Sequence, residues 1–185
     1  REPSEVLRHS RRWHETMEMI QFGGLPVVAV LAGSVIGGGL EIAAACHVRV
    51  AEPSARYQLP EGKRGIFVGG GATVRVGRIL GPDRMTEMML TGRAYDAVEG
   101  ERLGLSHYLV AEGEGLAKAR ALAADVAGNA TLVNYLIINS IARIDDMGRT
   151  DGFYAESLSA ALSQSGADAK EGLRAFLEKR KPRFG

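Results

Sequence analysis

Glu41 is the only charged side chain between Glu18 and His47, and its neighbours are Leu40, Ile42 and a run of alanines. A carboxylate in such surroundings is costly unless it is paired or used. Desolvation favours its protonated form, which suits proton transfer near neutral pH. A buried ion pair or a solvent-facing helix position would explain the residue equally well. Just before it, Gly37-Gly38-Gly39 should open a helix. The first turn of a helix presents unpaired backbone N–H groups and the positive end of the dipole. Without side chains there, an anion can approach closely, so the turn suits a phosphate or a developing enolate oxygen. The segment GSVIGGGLE lacks the Lys followed by Ser or Thr of a Walker loop, and it does not match GxGxxG. Glycine clusters alone are weak motifs. Glu61, in Leu59-Pro60-Glu61-Gly62, reads by itself as an exposed loop carboxylate. Beside Glu41 it would gain a role, because two carboxylates can share a water: one takes its proton while the other protonates carbon.

Other chemistries find no support. His9, His14, His47 and His107 show no metal-ligand spacing with Cys or carboxylates, so no metal is expected. No GxSxG elbow and no paired-Cys motif is present. Cys46, the single cysteine, excludes an intrachain disulfide and reads as a small buried hydrophobe in a reducing compartment. Arg49, Arg56, Lys63, Arg64, Arg75 and Arg78 are scattered and read as solvated charges or local ion pairs. The net charge of +1 argues against a dedicated polyanion binder.

The elements that must position the two glutamates follow from periodicity and punctuation. Pro3-Ser4 starts a helix with Ser4 as cap; Val6, Trp13, Met17 and Ile20 share one face, and Gly23-Gly24 ends it. Residues 26–31 read as a buried strand, 33–39 as a glycine-rich turn, Leu40 to Cys46 as a buried helix and 48–51 as a second strand, a βαβ-like unit. Arg56-Tyr57-Gln58 reads as a short strand, and Gly69 to Gly71 as a second glycine cluster before a helix over 72–80. Another helix opens at Gly81-Pro82 with a Met-rich core face and stops at Gly92. Asp96 with Glu99 resembles a capping box, and 107–110 a short strand. Helical patterns then cover 116–127, 131–146, 151–163 and 167–181, so the chain divides into an α/β part, 1–112, and a helical part, 113–185. The longest charge-free stretch, Met19 to Leu40, is broken by Gly23, Gly24, Pro26, Gly33 and Gly37 to Gly39, and no membrane span is expected.

Taken together and in order, PVVAVLAGSVIGGGLEIAAACHVRVA, LPEGKRGIFVGGGATVRVGRILG, MTEMMLTGRAYDAVEGERLGL and AFLEKRKPRF resemble the crotonase, or enoyl-CoA hydratase, superfamily from about Leu25 to Phe184. The resemblance implies an α/β fold: a spiral of ββα turns, here N-terminally incomplete, followed by a C-terminal helical trimerisation region whose trimers often pair into hexamers. It matches Glu41 and Glu61 to the family's two catalytic glutamates, and Gly38 to the glycine whose N–H forms half of an oxyanion hole. Gly69 matches a glycine near the catalytic water, and Phe176 and Lys179 match positions that touch coenzyme A. The implied reaction is hydration of a trans-2-enoyl-CoA, with the coenzyme A thioester as substrate and no further cofactor. Isomerase, hydratase-lyase and hydrolase chemistry belong to the same superfamily.

The resemblance also implies a cytoplasmic homo-trimer or hexamer with no nucleic-acid or membrane partner. Three residues depart from the family pattern: His47 stands where Asp is usual, Val68 for a common Pro, and Ala72 for a common Gly. The segment that supplies the second oxyanion N–H in the family would precede Arg1, so the natural protein is expected to be longer. Two other classes compete. An RNA-binding branch uses a basic helix at the place of Arg1 to Ile20, where Arg1, Arg8, Arg11 and Arg12 are offset by Glu2, Glu5, Glu15 and Glu18. A noncatalytic assembly subunit would use the long C-terminal helices, whose Leu132, Val133, Leu136 and Ile137 need covering. Tyr135, Phe153 and Tyr154 suit either the lining of a pocket or the core, and core packing is the expectation.

Overall fold

The computed structural model describes residues 2–185; Arg1, counted above with the basic helix, lies outside the described residues. Helix α1 (Pro3–Phe22) starts two residues earlier than expected, with Glu2 rather than Ser4 at the cap and Pro3 in the first turn, where its missing N–H costs nothing. Met17 is its one buried residue; Trp13 and Ile20 are half-buried, and Val6 is exposed.

After α1 the chain winds through two turns of strand, strand, helix. The first is β1 (Val28–Leu31), β2 (Ser34–Ile36) and α2 (Gly38–Ala45). The second is β3 (Val48–Ala51), β4 (Arg56–Gln58), a 3-10 turn at Glu61–Arg64, and α3 (Ala72–Leu80). Successive turns stack strand on strand, all parallel. Val28 stands opposite Val48 in one sheet, and Ser34 opposite Arg56 in the other. A short β5 (Tyr108–Leu109) extends the first sheet beside β3. This is the expected ββα spiral. The expected βαβ unit is also there, but the presumed glycine turn over 33–39 contains β2. Val35 is its only apolar side chain to reach the core, too little alternation to announce a strand.

Helices α4 (Pro82–Thr91) and α5 (Ala97–Arg102) follow, the latter with the expected capping box between Asp96 and Glu99. The core gathers Leu31, Val35, Leu40 and Tyr57 with Val76 and Met88. Leu90, on the Met-rich helix, is exposed instead. Tyr57 is fully buried, and a Cβ on Gly100 of α5 would overlap its ring, 2.6 Å from Cδ2. Ala ordinarily stabilises a helix over Gly by about 1 kcal/mol. Here the ring cannot retreat, so Gly100→Ala should lower stability by about 1–3 kcal/mol, read as a lower urea midpoint at unchanged slope.

The chain forms two compact units, Arg1–Gly23 with Val27–Leu122, and Gly24–Pro26 with Ala123–Gly185. The division falls within α6 (Gly115–Ala127), beyond the 112/113 change in composition. The start of α6 is fastened to the first unit: the Gly115 N–H donates to the buried carboxylate of Glu52 at 2.9 Å, and Ala119 is buried. The second unit holds α7 (Thr131–Asp145), α8 (Arg149–Gln164) and α9 (Ala167–Leu177). The α7–α8 contact includes Ile144 against Gly152 and the paired hydroxyls of Ser140 and Ser159. Tyr135, Phe153 and Tyr154 do not pack in a core as expected; they are 47%, 57% and 69% exposed, on helix faces that no other element of the unit covers. Helix α9 ends at Leu177, short of the expected 181, because Lys179 turns left-handed (φ 53°) and the Arg180 N–H closes back on the Ala175 carbonyl. Among the described residues no single helix is long and apolar enough to cross a membrane.

Candidate active site

Four elements of the first unit converge on the glutamates. Gly37, the cap of α2, is left-handed (φ 54°), and its N–H donates to Gln58 at the end of β4. A Cβ at Gly37 would lie 2.8 Å from Glu61 Oε1, so the turn admits only glycine and Glu61 lies directly against it. The N–H groups of Leu40 and Glu41 return to the Gly37 carbonyl, whereas no acceptor among the described residues takes those of Gly38 or Gly39. The free donors expected at this helix start are therefore present.

Glu41, in the first turn of α2, is buried. Its Oε1 accepts from the Gly70 N–H at 2.7 Å and the Ala72 N–H at 3.2 Å. Glu41 thus caps the N-terminus of α3, a placement that suits a carboxylate. Of the three readings open for it, the solvent-facing one is excluded, since 7% of the residue is exposed. Ala72, in place of the family's common glycine, keeps its N–H in this bond and tucks its methyl into the core. Val68 is half-buried and packs on the same core.

Glu61 is also buried, contrary to its reading as an exposed loop carboxylate, because Pro60 and the 3-10 turn fold it inward. Its Oε2 is buried and has no hydrogen-bond partner among the described residues. Burial pushes its carboxyl above the usual glutamate range, and the Glu41 charge adds to the rise; its own backbone N–H and Arg64 oppose it in part. The two carboxylates therefore meet electrostatically in different environments. One is held by two backbone donors, and the other is desolvated and favours its proton. Unlike environments of this kind are what separates the two members of a carboxyl pair in acid–base chemistry.

Helix α1 supplies a wall. Ser10 Oγ donates to the Gly69 carbonyl at 2.6 Å, and the Trp13 ring lies 3.4 Å from where a Cβ on Gly38 would be. Trp13 Nε1 donates to His9 Nε2, which fixes the ring. His47, which departs from the family pattern, makes a contact of its own: Nδ1 accepts from the Val27 N–H at 2.9 Å and Nε2 donates to the Gln21 carbonyl at 2.8 Å. It ties the end of α1 to the start of β1.

Two of the arginines expected to be solvated charges or local ion pairs are buried, and of these only Arg75 forms an ion pair among the described residues, with the distant Glu18. Arg49 is buried and donates to the carbonyls of Cys46, Gly104 and Leu105, so carbonyl oxygens, one of them at the C-terminus of α2, take the place of an anion. Arg75 is buried and joined to Glu18 and Gln21. Burial raises the Cys46 thiol, as suits an inert core cysteine.

Glu41, Glu61, Gly38 and Gly69 thus all belong to the first unit. Phe176 and Lys179 belong to the second, exposed at the end of α9. Gly37 is expected in the turn, but its packing against Glu61 is not, and Gly70, Ala72, Trp13 and Arg75 are not assigned to the site from the sequence. Gly70 and Ala72 carried a signal, since a glycine cluster before a helix had already been read as a donor array at 37–39.

Residues 6–185 match the enoyl-CoA hydratase/isomerase family. The chain belongs to that family. A Thermus thermophilus protein described as a candidate enoyl-CoA hydratase is 36% identical over 97% of this chain and 71% of its own length. A solved Rhodopseudomonas palustris structure, also described as a candidate enoyl-CoA hydratase, is 49% identical with a TM-score of 0.92, covering 97% of this chain and 69% of that one. The mitochondrial Delta(3,5)-Delta(2,4)-dienoyl-CoA isomerase of Dictyostelium discoideum is 29% identical over 97% of this chain and 62% of its own length. The chain therefore spans about six to seven tenths of these relatives. Membership in the enoyl-CoA hydratase/isomerase family carries crotonase-type acyl-CoA chemistry with it.

Proposed function

We propose that the protein hydrates a trans-2-enoyl-CoA to the 3-hydroxyacyl-CoA. The observation that carries this reading is the pair of buried glutamates, Glu41 accepting from two backbone N–H groups and Glu61 desolvated so that burial favours its proton. Glu41 takes a proton from water as the water oxygen bonds to the β carbon. The electron pair of the double bond moves toward the thioester, whose oxygen gains negative charge opposite the Gly38 N–H. Backbone donors fixed at a helix start stabilise that charge more in the transition state than in the ground state. Glu61 then delivers its proton to the α carbon. Gly69 borders the water's position, and Phe176 and Lys179 are assigned to the coenzyme A moiety.

The exposed apolar faces of α7 and α8 are assigned to a trimer or hexamer, and the protein to the cytoplasm; neither RNA nor membrane is a partner in this reading. The second reading is a double-bond isomerase, favoured by the dienoyl-CoA isomerase among the relatives.

The test is incubation with crotonyl-CoA. Hydration removes the absorbance of the conjugated thioester and adds the mass of one water. An unchanged enoyl-CoA, together with conversion of a 3-enoyl-CoA to the 2-enoyl isomer, would replace the first reading with the second.

A further inference from the structure

Arg75 occupies the core-facing stripe of α3, between Ala72 and Val76, and is 9% exposed. A guanidinium there needs compensation from every direction. Nε donates to Gln21 Oε1 at 2.6 Å and Nη2 to Glu18 Oε1 at 2.7 Å, both on α1. Glu18 is 55% exposed, so the pair does nothing needed for Glu18 itself. The remaining nitrogen, Nη1, lies against Gly71: a Cβ there would overlap it. Gly71 is the left-handed cap of α3 (φ 105°), and its two neighbours, Gly70 and Ala72, are the donors that hold Glu41. One three-residue turn thus carries the Glu41 carboxylate on its N–H groups and the Arg75 fork against its central glycine.

Burial lowers the pKa of Arg75, Glu18 and Glu41 draw it back up, and Arg78 on the same helix opposes them. The cation therefore feels Glu41 as well as its partners on α1.

We propose that Arg75 is a positioning residue for Glu41: it braces the Gly70–Ala72 turn from behind and fastens that turn to α1. Its kinetic consequence rests on the reading of Glu41 as proton acceptor, while the bracing itself does not. The planar fork serves three directions at once, which the single ammonium of Lys cannot do.

The test pairs kinetics with backbone hydrogen exchange in the full chain. Arg75→Met should lower kcat about 10- to 100-fold with KM within about threefold, because displacing a catalytic group by an ångström costs rate rather than binding. Arg75→Lys should recover part of the loss. The Gly70 and Ala72 amides should exchange at least about tenfold faster in either variant, with the amides of α5 unchanged. Should Arg75→Met fail to fold, Arg75→Lys carries the exchange measurement. Wild-type exchange at Gly70 and Ala72 in a folded variant overturns the proposal, even if kcat falls. Faster exchange in a protein that hydrates no enoyl-CoA would uphold the brace and remove the hydratase reading instead.

Discussion

Glu41→Gln and Glu61→Gln should each cut kcat for crotonyl-CoA hydration by about 10²- to 10⁴-fold, the usual worth of a positioned acid or base. The double variant should be little slower than the worse single one, because groups that act as a unit lose their effect together. Stability should separate the two. The Glu61 carboxyl is raised in the fold by burial and by the Glu41 charge. Its contribution to stability is therefore fully present below the ordinary glutamate range and is lost as pH rises through the raised value. Glu61→Gln removes that loss, so the variant should melt higher than the wild type at pH 8 and no higher at pH 4. Glu41→Gln carries no such gain, since an amide replaces one acceptor of two backbone donors. The alkaline limb of the wild-type rate profile belongs to Glu61, whose proton is needed at the α carbon, and it should vanish from the residual rate of Glu61→Gln. Two inactive variants with identical melting behaviour at both pH values would remove the division into acceptor and donor.

Most of the framework was legible in the residues because each part had a local cause. Pro82 and Gly92 bound α4, Asp96 and Glu99 cap α5, and the β-branched run before Leu31 makes a strand that pairs with the next such run. The single charge at Glu41 in an apolar segment pointed to a buried carboxylate. What stayed hidden depends on contacts between distant residues. Glu61 looks like any loop glutamate until the 3-10 turn places it beside Gly37, 24 positions earlier. Arg49 and Arg75 could have been suspected, since each falls on the buried stripe of its element, but their partners lie on other elements. Arg49 finds its carbonyls at Gly104 and Leu105, and Arg75 its acceptors on α1. The aromatic residues of α7 and α8 mislead for another reason. Helical period marks a face that will be covered without saying whether the same chain covers it.

The spiral explains why a chain with such small sheets can hold this site. Each turn ends by sending a helix back from the sheet edge, and the starts of α2 and α3 come from successive turns. Glu41 leaves one helix start and is held by the next. Glu61, on the segment between them, rests against the cap of the first. Glu41 is thereby fixed by backbone donors, and Glu61 packs against the backbone at Gly37.

Gly70→Ala should therefore act as severely as removing a glutamate. Gly70 has an ordinary negative-φ backbone, so alanine is allowed there, and the change would normally gain about 0.4–1 kcal/mol by restricting the unfolded chain. Its Cβ, however, would overlap the Glu41 carboxylate: 2.8 Å from Cδ, 3.1 Å from Oε1 and closer still to Oε2. That carboxylate is buried and held by the very N–H that the methyl accompanies, so it must swing away and abandon both donors. The expected result is a fall in kcat of about 10²-fold or more with KM little changed. The comparison variant is Gly77→Ala on the same helix, whose Cβ would meet Met85 Sδ at an ordinary 3.6 Å and whose backbone needs no positive φ. It should keep wild-type kcat and melt at the same temperature or higher. Wild-type turnover in Gly70→Ala would mean that the reaction does not depend on Glu41 being held where α3 holds it, and the acceptor would have to be sought elsewhere.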